Sequence, residues 1–168
     1  MYFELRNLLS DTEVNALFSN EVVSQSKFPE NKIAYHVLHD PWSATKNIEQ
    51  RTYYTSDKLA QLNNTIVSTI SKLFKINVAC KYSARRLIYG PGKDMVWHYD
   101  SKNGGRVMSA ILFLSERESY TGGEFKFTDS DIRGHKGDVI IYTLDEMHRV
   151  TPVTSGERQS LLFFYNEI

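Results

Sequence analysis

A mainly β fold is predicted for this chain: an antiparallel jelly roll over about residues 77–168, with helices from about residues 1–76 packed on one of its sheets, the whole read as one domain. Three observations predict it. Beyond Asn77 the sequence breaks into short β-prone segments divided by glycine-rich turns, the texture of sandwiches and barrels. One such segment, "VMSAILFL", is apolar at nearly every position, as a strand buried on both faces must be, whereas "EFKF" alternates like a half-buried strand. Before Asn77, apolar residues recur at helical spacing instead.

The elements follow in order. In "LLSDTEVNALFSNEVV", Ser10 and Glu13 form a capping-box pattern ahead of a short amphipathic helix. Residues 24–50 lack clear periodicity and read as loops broken by Pro29 and Pro41, with one short strand near "IAYHVL". A second helix is expected in "SDKLAQLNNTIVSTISKLFKI", where Leu59, Leu62, Ile66, Ile70 and Leu73 or Phe74 fall on one face after a cap at Thr55 or Ser56. Strands are expected over 78–89, 95–99, 107–114, 123–128, 138–143, 148–153 and 158–166, with turns at "YGPG", "KNGG", "TGG", "RGHKGD" and "TSGE".

Composition narrows the partners. With 20 Lys+Arg against 20 Asp+Glu, no global field draws the protein toward nucleic acid or anionic lipid. Glu4 and Arg6 occupy the place where a secretory signal needs an apolar core, and no run approaches membrane-spanning length. The single cysteine, Cys80, excludes an intrachain disulfide and suits a reducing compartment, so a cytoplasmic location is expected.

The chemistry-bearing stretch is "YGPGKDMVWHYD". In extended backbone, side chains two apart share a face, so His98 and Asp100 can present an imidazole and a carboxylate side by side. A third metal ligand must come from elsewhere. His135, between glycines in "RGHKGD", suits a solvated turn better than a site. His148 heads a strand pair, and with it the set is two imidazoles and a carboxylate. That composition holds non-haem Fe(II) while leaving coordination positions open. A structural zinc would want four closed ligands, usually with thiolates.

Ten residues after His148, Arg158 heads the apolar run "RQSLLFF". A guanidinium there is costly to bury unless paired. Its partner is either the distal carboxylate of a 2-oxoglutarate co-substrate, gripped bidentately, or a local carboxylate such as Glu157 or Asp145.

The ordered set "RLIYGPGKDMVWHYD", "MSAILFLSE", "YTGGEFKF", "KGDVIIYT" and "MHRVTPVTSGERQSLLFF", spanning about residues 77–166, resembles the Fe(II)- and 2-oxoglutarate-dependent dioxygenase superfamily, in its prolyl 4-hydroxylase-like branch. The resemblance implies a double-stranded β-helix, which is a jelly roll. It implies that His98, Asp100 and His148 bind Fe(II) and form the catalytic centre, that Arg158 holds the distal carboxylate of 2-oxoglutarate, and that Tyr89 and Ser160 assist. Its co-substrates are 2-oxoglutarate and O2, with ascorbate as an accessory. The implied reaction is hydroxylation of a small molecule, an amino acid or a peptidyl, prolyl-type substrate, releasing succinate and CO2. Met95 stands three before His98, where prolyl hydroxylases often carry tyrosine, and this departure weighs against a prolyl substrate. Asp100 weighs against halogenation, because related halogenases vacate that position. Two alternatives are a non-catalytic jelly-roll binding module, which an intact triad with Arg158 speaks against, and a nucleobase-oxidising dioxygenase, which a neutral chain disfavours. Oligomeric state is not legible.

Other residues are given ordinary roles. Trp97 and Tyr99 are expected to pack on the strand face opposite His98, Cys80 to be buried, His36 and His39 to be partly exposed, and Arg85, Arg86 and Lys81 to lie on a solvated strand edge. Substrate choice is assigned to residues 24–50, including Trp42, and to 101–106, including Arg106.

Overall fold

A computed structural model describes residues 1–17, 49–53, 57–80 and 84–168. In chain order these form β1 (Tyr2–Leu5), α1 (Asp11–Ala16), β2 (Glu49–Tyr53), α2 (Asp57–Phe74), β3 (Val78–Ala79), β4 (Ala84–Tyr89), β5 (Met95–His98), β6 (Arg106–Phe113), β7 (Tyr120–Gly122), β8 (Phe125–Phe127), β9 (Asp131–Ile132), β10 (Val139–Thr143), β11 (His148–Val150), β12 (Val153–Gly156) and β13 (Arg158–Glu167). The larger sheet runs β1-β10-β6-β13-β4-β2, with β3 paired to the far end of β13; the smaller runs β5-β11-β8-β9, and β7 pairs β12. Every pairing is antiparallel. The two sheets face each other as a jelly roll, the double-stranded β-helix.

Strand alternation sorts the larger sheet into two cores. Leu87, Tyr89, Ile111, Phe113, Ile140, Tyr142, Leu162 and Phe164 face inward and pack with Phe125, Phe127, Ile132 and Val150 of the smaller sheet. Met108, Ala110, Leu112, Val139, Ile141, Leu161, Phe163 and Tyr165 face the other way, against Val14, Leu17, Leu59, Leu62, Ile66 and Ile70. This explains why "VMSAILFL" is apolar throughout: β6 lies between β10 and β13 with a core on each face. It also explains β13, where Leu161, Phe163 and Tyr165 serve the helical side while Arg158, Ser160, Leu162 and Phe164 look into the jelly roll.

The helices follow their sequence signals. Ser10 Oγ accepts the Glu13 N–H at 3.3 Å and Glu13 Oε2 accepts the Ser10 N–H at 2.8 Å, completing the capping box. In α2 the buried face is Leu59, Leu62, Ile66 and Ile70; Phe74, not Leu73, continues it, with its ring edge-on to Phe3 at 5.2 Å. The expected cap at Thr55 or Ser56, the strand near "IAYHVL", His36, His39 and Trp42 lie outside the described residues.

Several strand expectations change. The segment 78–89 is two strands with residues between them outside the description, and 148–153 divides between β11 and the start of β12. Strand β1 has no counterpart in the sequence reading; it docks on β10 in the register Tyr2 to Tyr142. The basic pair Arg85 and Arg86 is not on a solvated edge, because β4 is hydrogen-bonded on both sides, by β13 and β2. Arg85 stands over the Phe164 ring at 5.5 Å, and Arg86 Nε donates to Gln159 Oε1 at 2.8 Å. No described helix is long and apolar enough to cross a membrane.

Candidate metal centre

Strands β5 and β11 bring two histidines face to face. His98 and His148 are directly opposite in the ladder, and between that pairing and the one of Val150 with Met95 two residues of β5, Val96 and Trp97, stand against one of β11, Arg149. Such a bulge re-aims side chains. Here it lets both Met95 and His98 face the interior, with Met95 against the inner core. The imidazole centroids lie 4.2 Å apart.

Each ring is oriented by the backbone carbonyl two residues before it. His98 Nδ1 lies 2.8 Å from the Val96 carbonyl and His148 Nδ1 lies 2.9 Å from the Glu146 carbonyl. A carbonyl oxygen only accepts, so each Nδ1 carries the proton and each Nε2 offers a lone pair. Both Nε2 atoms point at Asp100 Oδ1, each at 3.9 Å, and one ligand atom from each of the three residues falls within 4.8 Å of the others. Burial pushes the His148 imidazole down to about 4, with nearby His98 acting in the same direction and Asp100 against it, so its ring is neutral at physiological pH. Among the described residues no other grouping of three histidines, cysteines or carboxylates converges in this way.

The Asp100 carboxylate is held from behind. Ser109 Oγ donates to Oδ2 at 2.6 Å and Tyr142 Oη donates to the same oxygen at 2.9 Å. Burial first, and then the Asp100 charge, raise the Tyr142 phenol well above its ordinary value, so it remains a donor.

Deeper in the jelly roll is Arg158, 1% exposed. Its Nη1 donates to Ser160 Oγ at 3.3 Å, and its guanidinium lies over the rings of Tyr89 at 5.1 Å and Phe113 at 5.4 Å. Nε and Nη2 are buried with no hydrogen-bond partner among the described residues. Neither local carboxylate takes them. Glu157 accepts from Gln159 Nε2, and Asp145 is engaged by Thr143, which lowers its pKa; among the described residues Arg158 forms no ion pair. Tyr89 is the register partner of Arg158 on β4. Burial lifts its phenol to about 12, while Arg158 pulls it down and Asp100 pushes it up, so the tyrosine feels both sites. Gly123, at φ +60°, admits the arginine: a Cβ there would lie 3.0 Å from Arg158 Cδ and 2.9 Å from Val153 Cγ2.

All six residues singled out in the sequence, His98, Asp100, His148, Tyr89, Arg158 and Ser160, thus face the interior of one jelly roll. His135 stands apart, in a turn where its backbone N–H donates to Asp138 Oδ2 at 2.9 Å. Trp97 takes the opposite face of β5 from His98, under the Arg149 guanidinium at 5.6 Å, but Tyr99 is 56% exposed and does not pack there. Ser109, Tyr142 and Gly123 were not foreseen. A signal for the first existed: Ser109 is the lone hydroxyl in "VMSAILFL", and a hydroxyl in a doubly buried strand needs a partner.

Residues 84–166 match the sequence profile of the 2OG-Fe(II) oxygenase superfamily, and that span contains the triad, Tyr89, Arg158 and Ser160. That core, residues 84–166, belongs to the 2OG-Fe(II) oxygenase superfamily. Among its curated relatives are PKHD-type hydroxylases: one of Shewanella sp. (strain MR-7) is 40% identical over 81 residues, covering 42% of this chain and 36% of that protein. Another, of Shewanella baltica (strain OS185), is 47% identical over 81 residues with the same shares, 42% and 36%. The chain therefore spans about a third of the length of these relatives. Solved structures share the fold. A viral collagen prolyl hydroxylase from Paramecium Bursaria Chlorella virus-1 superposes with a TM-score of 0.65 at 19% identity, covering 99% of this chain and 96% of that one. A Pseudomonas putida prolyl-4-hydroxylase gives 0.65 at 16% identity, covering 99% and 92%.

Proposed function

We propose that this protein is an Fe(II)- and 2-oxoglutarate-dependent hydroxylase, with residues 1–168 acting as one dioxygenase domain, and that its substrate is a small molecule, an amino acid or a peptidyl group. The observation that carries the reading is Arg158: a fully buried guanidinium with two unpartnered nitrogens, facing the same interior as two imidazoles and a carboxylate. A buried cation without a counter-ion is costly, and a dicarboxylate held between it and a metal removes that cost.

In this reading His98, Asp100 and His148 would hold the iron, and a set of only three protein ligands would leave coordination positions for co-substrates. Bound Fe(II), with 2-oxoglutarate and O2, supplies the oxidising chemistry, and succinate and CO2 leave. The protein's own work is binding and exclusion. Arg158 grips the carboxylate far from the metal, Ser160 shares one guanidinium N–H, and the Tyr89 phenol, kept protonated by burial, is available as a donor beside them. The apolar inner faces of β6, β8 and β13 keep water from the pocket. The PKHD-type names of the relatives support hydroxylation. Met95, packed against the inner core, leaves a prolyl substrate less favoured than other peptidyl or small-molecule ones. Ascorbate is included as an accessory reductant, and the single cysteine supports a reducing, cytoplasmic setting.

The test is Fe(II)-dependent formation of succinate from 2-oxoglutarate by purified protein, followed by mass spectrometry of peptide and metabolite pools for the gain of one oxygen. Titration of 2-oxoglutarate against Arg158→Ala should show binding weakened by about 2–5 kcal/mol. Tyr89→Phe should cost about 0.5–1.5 kcal/mol. An Arg158→Ala protein that binds 2-oxoglutarate normally but melts much earlier would make the arginine a structural residue and overturn the assignment.

A further inference from the structure

Asp100 presents its two oxygens to different neighbours. Oδ2 receives two hydrogen bonds, from Ser109 Oγ at 2.6 Å and Tyr142 Oη at 2.9 Å, while Oδ1 has the two imidazole Nε2 atoms at 3.9 Å each. The donors are built in. Ser109 is 0% and Tyr142 1% exposed, and the two are direct partners in the β10–β6 ladder. The Tyr142 ring is locked by Phe127 at 5.6 Å, Phe125 at 6.0 Å and His148 at 4.8 Å, so its hydroxyl has little freedom to turn away.

A carboxylate oxygen has two lone-pair directions, and two donors on Oδ2 use both. Tyr142 Oη has a second acceptor in reach, His148 Nε2 at 3.4 Å. A phenol has one proton, however, and once that nitrogen's lone pair is committed to a metal the proton goes to Oδ2.

We infer that Tyr142 and Ser109 are positioning residues: together they reserve Oδ2 of Asp100, so that the aspartate meets the metal through Oδ1 alone and the coordination position a bidentate carboxylate would take stays open for co-substrate. The inference rests on the metal role proposed above for the triad. Carboxylates ligate through one oxygen or two depending on their surroundings, and groups behind a ligand commonly govern metal affinity by 10–100-fold. The hydroxyls make that choice before any metal arrives, because both come from rigid strands of the larger sheet.

The experiment uses Co(II) as a spectroscopic probe on the full chain, comparing wild type, Tyr142→Phe, Ser109→Ala and the double variant. Three quantities are read: Co(II) affinity, the intensity of its visible d–d absorption, which falls as coordination number rises, and the affinity of the Co(II) protein for 2-oxoglutarate. The double variant should bind Co(II) about 10–100-fold differently from wild type, show a weaker d–d band as the second oxygen joins, and bind 2-oxoglutarate more weakly because its chelating position is contested. Tyr142→Phe keeps the ring and its packing, so it reports on the hydroxyl even if the serine variant folds poorly. Thermal melts identify any such loss. Variants that match wild type in spectrum and in 2-oxoglutarate affinity overturn this inference alone. A wild-type protein that takes up no Co(II) or Fe(II) overturns the metal reading and this inference with it.

Discussion

Asp138 and Asp100 are carboxylates in the same jelly roll, one finished and one left open. Asp138 accepts the Asn7 N–H on Oδ1 at 2.8 Å, and Arg6 Nη1 at 2.8 Å and the His135 N–H at 2.9 Å on Oδ2. Both oxygens are satisfied and a guanidinium balances the charge. Asp100 has all its donors on Oδ2, and Oδ1 faces two nitrogens that carry lone pairs rather than protons. Each carboxylate has a histidine close by, yet Asp138 uses only that residue's backbone, to pin the turn before β10 and the turn after β1. A polar cluster closed on itself contributes stability; one that converges without a cation is arranged to bind something.

Four experiments probe this contrast. The greatest loss belongs to the open site. Asp100→Ala or His148→Ala should reduce Fe(II)-dependent succinate formation to the metal-free background while changing unfolding free energy by no more than about 1–2 kcal/mol; a variant that keeps activity would remove that residue from the ligand set. Asp138→Ala should do the reverse, costing about 1–3 kcal/mol in urea unfolding because it strands the Asn7 and His135 N–H groups, while Arg6 keeps Glu4 and the Arg133 carbonyl, with Co(II) affinity of the folded protein unchanged.

Acid should separate wild type from Asp138→Asn. Burial works to raise the Asp138 pKa, but the N–H groups of Asn7 and His135 and the Arg6 guanidinium outweigh it, leaving the carboxyl below its ordinary 3.8. A folded-state pKa below the unfolded one means the stabilisation is complete above that ordinary value and is lost as pH falls through the folded value. Melting temperature should therefore drop more steeply below pH 3.8 in wild type than in Asp138→Asn. Parallel curves would mean that the staple does not titrate. The smallest effect is expected from His135→Ala, within about 0.5 kcal/mol and with normal metal uptake, since only its main chain is used. Loss of Co(II) binding in that variant would show that the third ligand had been wrongly chosen.

Much of the fold was legible because its signals are local. The capping box at Ser10 and Glu13, the apolar stripe of α2 and the two-faced character of β6 each depend on residues a few positions apart. Strand β1 escaped notice because "YFEL" is half-buried along its length, with no contrast between faces for alternation to reveal. Arg85 and Arg86 were misplaced because charge alone cannot tell an edge strand from one flanked on both sides.

The site divides the same way. The sequence by itself determined that His98 and Asp100 share a face, that Arg158 looks into the core with Leu162 and Phe164, and that a second histidine must complete the set. Tertiary structure decided the rest. Which histidine completes it follows from the β5–β11 register and its bulge. Among the described residues Arg158 is left without a carboxylate, Glu157 and Asp145 being engaged elsewhere. The Asp100 carboxylate is split into a held oxygen and a free one by hydroxyls on two other strands. The physical reason is range: backbone geometry sets side-chain direction within a few residues, whereas register and hydrogen-bond partners are settled only when strands distant in the chain are paired.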